Sequence, residues 1–597
     1  MKTTNKLLKN ILFYAALGLT VSSCDLDVEP PSNIAAETFW KTEKDAWYNL
    51  NAVYESAMPM IGIYQDSFTD DVLCQYSWES NGMIFQQDGM NSQIDDGWNF
   101  ESIRKENIFL KEVENCDMDE ALKNRFKAEA RAMRAYSYLE LTLKFGKLPI
   151  ITDVPTFDAE NVARDEVSKV QNFILTELTE AAAALPASYS GGYPNEKGRI
   201  TKYAALSLKA RAALYFGDYA TAEAAAKDVM DNGGYSLFRV STLSDTQKKE
   251  AEEMAMYVDF EKYGLDKDAF TKGMFNYEAL WHNENGNPDN PEYIMCRQYA
   301  PAGWDYQDMT RYTNMRPDQL GGWSSITPTQ NLVDAYWVAD GKTEANVPSI
   351  DKRAASYKAI RDDVDDFIKA AAEPKDGTVA KFVEAKMKSG ELKNYEYIQE
   401  FRNRDSRLYA SILLPFKGWY ETEVGPDFVY EWIKNGNNES STGFNFRKMV
   451  TIENDPEGNG QATGDYPCIR YAEILLIFAE AHTQTTGFDA QAQAALNQLR
   501  DRCGMPNVPT NLSKEAALKF IQNERRIELA GEGFRGGDLT RYSDEYWKEH
   551  MNDVPMTMPD GTVKLMMKWT PRMRLRPIPQ SAIDYNPLLA SDQNPGY

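Results

Sequence analysis

Residues 201–234 have the pattern of two short helices packed against each other, and this pattern constrains the fold more than any other feature of the chain. The first part, TKYAALSLKARAALYF, is rich in alanine and leucine; Gly217-Asp218 interrupts it, and the alanine-rich YATAEAAAKDVMD follows. Small side chains such as Ala222 and Ala226 let two antiparallel helices approach closely. One such hairpin cannot bury its own apolar face, so further hairpins must stack on it.

A related pattern occurs at 471–504, where a helix rich in alanine and leucine reaches Gly487 and a second alanine-rich helix follows. Apolar stripes over 117–146 and 165–185 predict a further pair of helices, the first of which ends at Gly146. The GDY-x-x-A step of the first unit resembles a tetratricopeptide repeat. Because an array needs about three repeats to bury a continuous core, we expect a mainly α fold, a tetratricopeptide-like helical hairpin array.

Three segments differ in composition from the helical units and predict long loops with short strands or turns: 61–100, 275–345 and 417–468. Two charged helical stretches, 245–272 and 351–399, fit solvated insertions. Long loops on a rigid scaffold usually carry function. We therefore expect the binding site in this loop-rich portion.

The N-terminus predicts the compartment. Residues 1–10 carry three lysines and no acid, and residues 11–21 are an apolar run, shorter than the roughly 20 residues that span a membrane. This is the pattern of a secretory signal peptide. The string VSSC, ending at Cys24, resembles a bacterial lipobox, in which the cysteine is lipidated. We predict a lipoprotein signal peptide at 1–23 and lipidation at Cys24; the alternative is an incidental thiol near an ordinary cleavage site.

Charge excludes one class of partner. Removal of residues 1–23 takes away three lysines and leaves 574 residues with 62 Lys+Arg against 90 Asp+Glu, a formal charge of −28. Nucleic-acid binding needs clustered Lys and Arg, and the sequence has no such run. We expect no nucleic-acid partner.

The other cysteines are few and widely spaced, which favours buried free thiols over a disulfide framework, with one bridge left open. They are Cys74, Cys116, Cys296, Cys468 and Cys503. The three histidines show no ligand spacing, so we expect no zinc. Calcium at the acidic loops 283–292 and 453–465 is an alternative, but neither matches the EF-hand spacing, and we expect no metal and no cofactor.

Seven strings, in the same order along essentially the whole mature chain, resemble the SusD/RagB family of outer-membrane nutrient-binding lipoproteins. They are FWKTEKDAWYNLNAVYES, KAEARAMRAYSYLELTLKFGKLPII, GRITKYAALSLKARAALYFGDYATAEAAAKDVMDNGGYSL, TPTQNLVDAYWVADGK, IRYAEILLIFAEAH, NERRIELAGEGFRGGDLTRY and RPIPQSAIDYNPLL. The resemblance implies a SusD-like N-terminal region with helical hairpins at 24–240. It implies a C-terminal region at 241–597 with the loop-rich ligand-binding portion and further hairpins.

The resemblance also implies a function. Family members are anchored by lipid to the outer membrane, face outward and cover a SusC-like TonB-dependent transporter, to which they deliver glycans. They are not enzymes. Some members bind peptides, so a peptide-binding or protein-binding lipoprotein is the alternative. A surface glycosidase is a further alternative, because a pair of carboxylates among 90 acids would be enough for that chemistry.

A glycan has apolar C–H faces and hydroxyl edges, so its site needs exposed flat aromatics and a few directional polar groups. The candidates that combine these properties in the loop segments are Trp98, Trp304, Trp323, Trp78, Tyr306 and Asp71. Further aromatics in the same segments are Tyr64, Tyr76, Trp281, Tyr299 and Tyr312. For each tryptophan the alternative is a loop anchor packed into the core.

Two charged strings, RYAE and NERRIELAGEGFRGGDLTRY, have spacings that suit ion pairs within and between helices. The residues concerned are Arg470, Glu473, Glu524, Arg525, Arg526, Glu528, Arg535 and Asp538. We expect a structural network of ion pairs here and not a ligand site.

Overall fold

The structure is a computed structural model and describes residues 39–58, 62–154, 160–189, 196–282, 284–299, 314–422, 424–450 and 464–597. The longer helices are α1 (Glu43–Ala57), α2 (Glu101–Glu112), α3 (Glu120–Phe145), α4 (Val167–Ala184), α5 (Lys202–Phe216), α6 (Tyr219–Asn232), α7 (Asp245–Glu253), α8 (Lys267–Ala279), α9 (Ile350–Ala370), α10 (Val379–Lys388), α11 (Tyr471–Thr485), α12 (Ala490–Arg502), α13 (Lys514–Glu528) and α14 (Asp544–Met551). The shorter helices are Ile63–Asp66, Gly82–Gln86, Phe260–Tyr263, Gln330–Ala335, Glu396–Glu400, Ser406–Ser411, Arg535–Arg541 and Gln580–Tyr585. The strands are β1 (Val72–Cys74), β2 (Tyr293–Arg297), β3 (Ile326–Pro328), β4 (Ile412–Leu413), β5 (Asn445–Phe446), β6 (Tyr466–Arg470), β7 (Pro555–Thr557) and β8 (Val563–Met566).

The long helices form the predicted array. Helix α3 packs on α4, α4 on α5, α5 on α6, α6 on α11, and α11 on α12. The two alanine-rich units are therefore neighbours in space, although the loop-rich residues separate them in the sequence. This arrangement confirms the mainly α, tetratricopeptide-like architecture.

The turn between α5 and α6 shows why the sequence forms a hairpin here. Gly217 has φ of +76°, a left-handed conformation that ends α5 and favours glycine. Asp218 then caps α6, because its carboxylate accepts a hydrogen bond from the backbone N–H of Thr221 at 3.1 Å. Ala222 and Ala226 are fully buried, as expected of small side chains between close helices.

The segment around α8 differs from the prediction. Residues 267–272 were expected in a solvated insertion and the residues after 275 in a loop, but α8 is largely buried. Phe270, Met274 and Tyr277 lie on its buried side at helical spacing and have no exposed surface. The lysines and aspartates that suggested a solvated helix occupy only its outer face. Trp281, just beyond α8, is 2% exposed and is a core residue.

Four two-stranded antiparallel sheets join distant parts of the loop-rich portion in the described residues: β1–β3, β2–β6, β4–β5 and β7–β8. In the first, Val72 pairs with Pro328 and Cys74 with Ile326, which ties the first loop segment to the second. Strand β6 continues directly into α11 and so attaches this portion to the helical array.

A network of buried ion pairs lies between the array and the loop-rich portion, as predicted. Glu528, at the end of α13, has no exposed surface and contacts three guanidinium groups, those of Arg407, Arg470 and Arg502. Arg470 and Glu473, which are three residues apart in the sequence, do not pair with each other. Arg470 precedes α11 and turns toward Glu528, whereas Glu473 lies within α11 and pairs with Arg211 of α5.

All five cysteines after Cys24 are buried free thiols in the described part of the chain, which confirms the prediction. Cys24 itself lies outside the described residues, so its lipidation stays a prediction. Among the described residues, no helix has the length and apolar character needed to cross a membrane.

His482 of α11 joins two neighbouring hairpins through its two ring nitrogens. Its Nδ1 lies 2.7 Å from Glu223 Oε1 on α6, and its Nε2 lies 3.0 Å from Asp489 Oδ1 at the start of α12. Burial lowers the pKa of His482, but the two carboxylates outweigh burial and raise that pKa above its usual value of 6.5. Because each ring nitrogen faces a carboxylate oxygen, the ring can donate to both hairpins at once only as an imidazolium.

We expect His482→Gln to destabilise the protein in a pH-dependent way. A raised histidine pKa contributes stability that is complete below about pH 6.5 and is lost as pH rises through the higher pKa of the folded state. Thermal unfolding should therefore show a larger loss of Tm for the variant at about pH 6 than at about pH 9. Equal losses at both pH values would exclude the charged bridge.

Candidate functional site

Three loop segments meet beyond one end of the β1–β3 sheet. Because the strands are antiparallel, the chain that leaves β1 and the chain that enters β3 lie at the same end. The backbone N–H of Gln75 donates to the carbonyl oxygen of Ser325 at 2.8 Å, and the Gln75 side chain donates to that of Ser324 at 3.0 Å. The predicted aromatics Trp78 and Trp323 are thereby brought to one region, although they are far apart in the sequence.

Trp78 is 78% exposed and belongs to a stacked pair. Its ring lies over that of Tyr76, with ring centroids 4.5 Å apart and planes 17° from parallel. The indole of Trp78 is therefore open to a ligand that would cover it. Its stacking on the half-buried Tyr76 fixes the orientation of the ring. The next residue, Glu79, is partly buried, and burial raises the pKa of its carboxyl group.

Trp323 stands on a tight loop whose shape depends on two glycines. A 3-10 helix, Asp318–Leu320, leads to Gly321, which has φ of +76°. At Gly322 an added Cβ would lie 2.1 Å from the carbonyl oxygen of Arg316, so only glycine fits the close approach. The loop therefore holds Trp323 at a fixed position with 44% of its surface exposed.

A third segment supplies polar groups. Asp318 accepts hydrogen bonds from the side-chain amides of Asn437 and Asn438, at 2.9 and 3.0 Å. The side chain of Gln319 binds the backbone of the same segment, as donor to Val429 O at 3.1 Å and acceptor from Glu431 N–H at 2.9 Å. The carboxylate of Asp318, on the loop that leads to Trp323, and the two amides offer both donors and acceptors.

We call Tyr76, Trp78 and Trp323 the aromatic platform, and Asp318, Asn437 and Asn438 its polar rim. Flat aromatic faces bind apolar C–H surfaces, and directional donors and acceptors bind hydroxyl groups. The arrangement is thus chemically suited to a sugar chain lying across the surface.

Asp71 is not part of this region, which corrects its prediction as a ligand-binding residue. It lies before β1, at the opposite end of the sheet from Trp78, and is 2% exposed. Its carboxylate is paired with Arg526, and Arg535 Nε lies 3.6 Å from Asp71 Oδ2. A carboxylate that is buried and paired in this way does not reach a surface ligand, and its removal would leave the buried charge of Arg526 uncompensated.

The remaining predicted residues fall elsewhere. Trp98 is partly buried and packs against the core, with its ring edge-on to Phe145 at 5.0 Å and Phe100 at 5.4 Å. The structure therefore places Trp98 as a loop anchor rather than on the platform. Trp304 and Tyr306 lie outside the described residues.

The polar rim was not among the predicted site residues. Asn437 and Asn438 lie in KNGNNE, within a segment that was predicted only as a loop. An Asn-Gly-Asn-Asn string signals a turn, but nothing in it indicates which distant aromatic it will approach.

Comparisons with known proteins agree with this architecture. A model described as the SusD family matches residues 291–597, and one described as "Starch-binding associating with outer membrane" matches residues 26–214. SusD-like protein P38 of Formosa agariphila is 24% identical over 566 residues, covering 91% of this chain and 92% of that protein.

Solved structures share the fold. A SusD-like protein from Bacteroides fragilis superposes with a TM-score of 0.71 at 24% identity, covering 94% of this chain and 98% of that one. A laminarin-binding SusD-like protein superposes with a TM-score of 0.56 at 21% identity, covering 93% of this chain and 100% of that one. Because the first family model alone matches half of the sequence, the chain belongs to the SusD family.

Proposed function

We propose that this protein binds a glycan on the aromatic platform at the cell surface. The observation that carries the proposal is that the pairing of β1 with β3 brings the segments of the exposed Trp78 and Trp323 to the same end of the sheet. An exposed apolar patch with polar residues at its edge marks an interaction site. Trp78 is stacked on Tyr76, and Trp323 follows a loop that requires glycine at Gly322. The laminarin-binding relative supports the same ligand class.

A binding role fits better than catalysis. A glycosidase needs two carboxylates free to exchange protons near the sugar. The adjacent carboxylates Asp70 and Asp71, in the first loop segment, are instead ion-paired with Arg526 and Arg535. We propose that the protein holds its glycan without cleaving it.

We further propose that Cys24 anchors the protein to the outer membrane, facing outward, and that it passes its ligand to a SusC-like TonB-dependent transporter. The matching family description names an association with the outer membrane, which supports the location. The transporter and the division into regions 24–240 and 241–597 remain predictions from the family resemblance.

The test is a binding screen with a protein of residues 25–597, which lacks the predicted lipidation site Cys24. Isothermal calorimetry against neutral glycans, with peptides as the rival ligands, should give saturable binding to a glycan, and the recovered glycan should be uncleaved. Neutral glycans come first because a charge of −28 slows the approach of polyanions. Saturable binding to peptides alone would replace this proposal with the peptide-binding alternative, and cleavage would establish an enzyme.

A further inference from the structure

A buried group of one imidazole and two carboxylates lies at the end of α8. Glu278 is the penultimate residue of α8, His282 follows one helical turn later, and Glu421 comes from a loop far along the chain. One possible ligand atom from each of the three lies within 4.8 Å of the other two. Glu278 and His282 are four residues apart, a spacing that places both on one side of a helical segment.

Two atoms of this group lack hydrogen bonds within the described residues. His282 is 3% exposed, and its Nε2 lies 3.9 Å from Glu278 Oε1, too far for a hydrogen bond. Glu421 Oε2 is also buried without a partner. A buried polar atom left unpaired costs about 1–3 kcal/mol, and this one group of three residues contains two such atoms.

The other atoms of the three residues have neighbours: His282 Nδ1 lies 3.5 Å from Glu284 Oε1, and Glu278 Oε2 is paired with Arg447. Glu278 Oε1 accepts hydrogen bonds from Trp419 Nε1 and Arg447 Nε, both at 2.8 Å. Glu421 Oε1 accepts one from the Gln247 amide at 2.9 Å. Metal-binding carboxylates and histidines are usually held by such a second layer of contacts.

The geometry points to a divalent transition-metal site of the Zn²⁺ type formed by Glu278, His282 and Glu421. One nitrogen and two carboxylate oxygens are donors that Zn²⁺ accepts, with a water in the fourth position. The metal would fasten the loop of Glu421 to α8. Farther along the chain, the backbone of Val429 and Glu431 binds the side chain of Gln319, which precedes Trp323 on its loop. The inference is independent of the proposed glycan function.

A proton is the competing occupant. Burial lowers the pKa of His282, but Glu278 and Glu284 with further help from Glu421 outweigh burial and raise that pKa to about 10. Without metal the ring is thus an imidazolium among carboxylates. Zn²⁺ can bind His282 only if it displaces that proton. A measurement of Zn²⁺ binding therefore decides whether the ring carries a proton or the metal.

The test is a titration of the EDTA-treated 25–597 body with Zn²⁺, followed by calorimetry and by the absorption spectrum of Co²⁺ in place of Zn²⁺. We expect one metal per chain, with Co²⁺ bands that report nitrogen and oxygen ligands. His282→Gln should weaken binding by at least about 100-fold, more than the loss of a supporting residue. Glu421→Gln provides a second variant, and circular dichroism verifies that both variants fold.

The matched control is His482→Gln, which removes another buried histidine that lies between carboxylates. It should bind Zn²⁺ as the unchanged protein does. Absence of saturable binding in the unchanged protein would show that the imidazolium alone occupies the site. Equal affinities in the unchanged protein and in folded His282→Gln would likewise overturn the assignment.

Discussion

Replacement of Glu528 by glutamine should lower the free energy of unfolding by about 3–5 kcal/mol, the cost of breaking a buried ion pair by removing one partner. Glu528 is fully buried and contacts Arg407, Arg470 and Arg502, which come from three separate elements. Burial raises its carboxyl pKa, but the three guanidinium groups outweigh burial and hold that pKa well below its usual range. The neutral amide would leave their charge undercompensated in a site without water access.

Urea unfolding of the 25–597 body measures this effect. The midpoint should fall with little change in the slope, because the surface exposed on unfolding stays the same. Glu515→Gln is the control, since Glu515 lies on the same helix α13 but is exposed, and its midpoint should stay unchanged. Equal stability of both variants would mean that the network contributes nothing to holding the two portions together.

Removal of the platform aromatics should have the second large effect. Each of Trp78→Ala and Trp323→Ala should weaken binding of the preferred glycan by about tenfold or more, which corresponds to about 1.4 kcal/mol. The double variant should bind at least about 100-fold more weakly if the two rings contact the ligand independently. Trp78 is largely exposed and Trp323 is 44% exposed, so we expect a smaller change of Tm for Trp78→Ala than for Trp323→Ala.

Tyr585→Ala is the matched control for these variants. Tyr585 is 88% exposed on the short helix Gln580–Tyr585 and belongs to neither the aromatic platform nor its polar rim. Its loss should leave glycan affinity unchanged. An affinity that survives in the double variant would place the glycan elsewhere on the protein.

The helical half of the fold follows from local signals. The Gly217-Asp218 step, the alanines of α6 and the stop at Gly146 act within a few residues of where they stand, so the sequence predicts these helices closely. The burial of α8 is harder to predict, because the charged residues on its outer face obscure the helical spacing of Phe270 and Met274 on its buried face.

The site was less predictable because it depends on pairing between distant segments. Trp78 and Asp71 are seven residues apart in the same loop segment, and both have the side-chain chemistry of a glycan site. They lie at opposite ends of β1, where Trp78 is exposed and Asp71 is buried. The antiparallel register of β1 with β3 places the C-terminal end of β1, and not its N-terminal end, beside the loop that carries Trp323. The approach of Glu421 to His282 likewise has no signature in the local sequence.

The most direct measurement of the central claim is a crystal structure of the 25–597 body with its preferred neutral glycan. We expect sugar rings lying against the indoles of Trp78 and Trp323, with hydroxyl groups bound to Asp318 or to the amides of Asn437 and Asn438. A glycan seated in the helical array, with the aromatic platform uncovered, would contradict the proposed site.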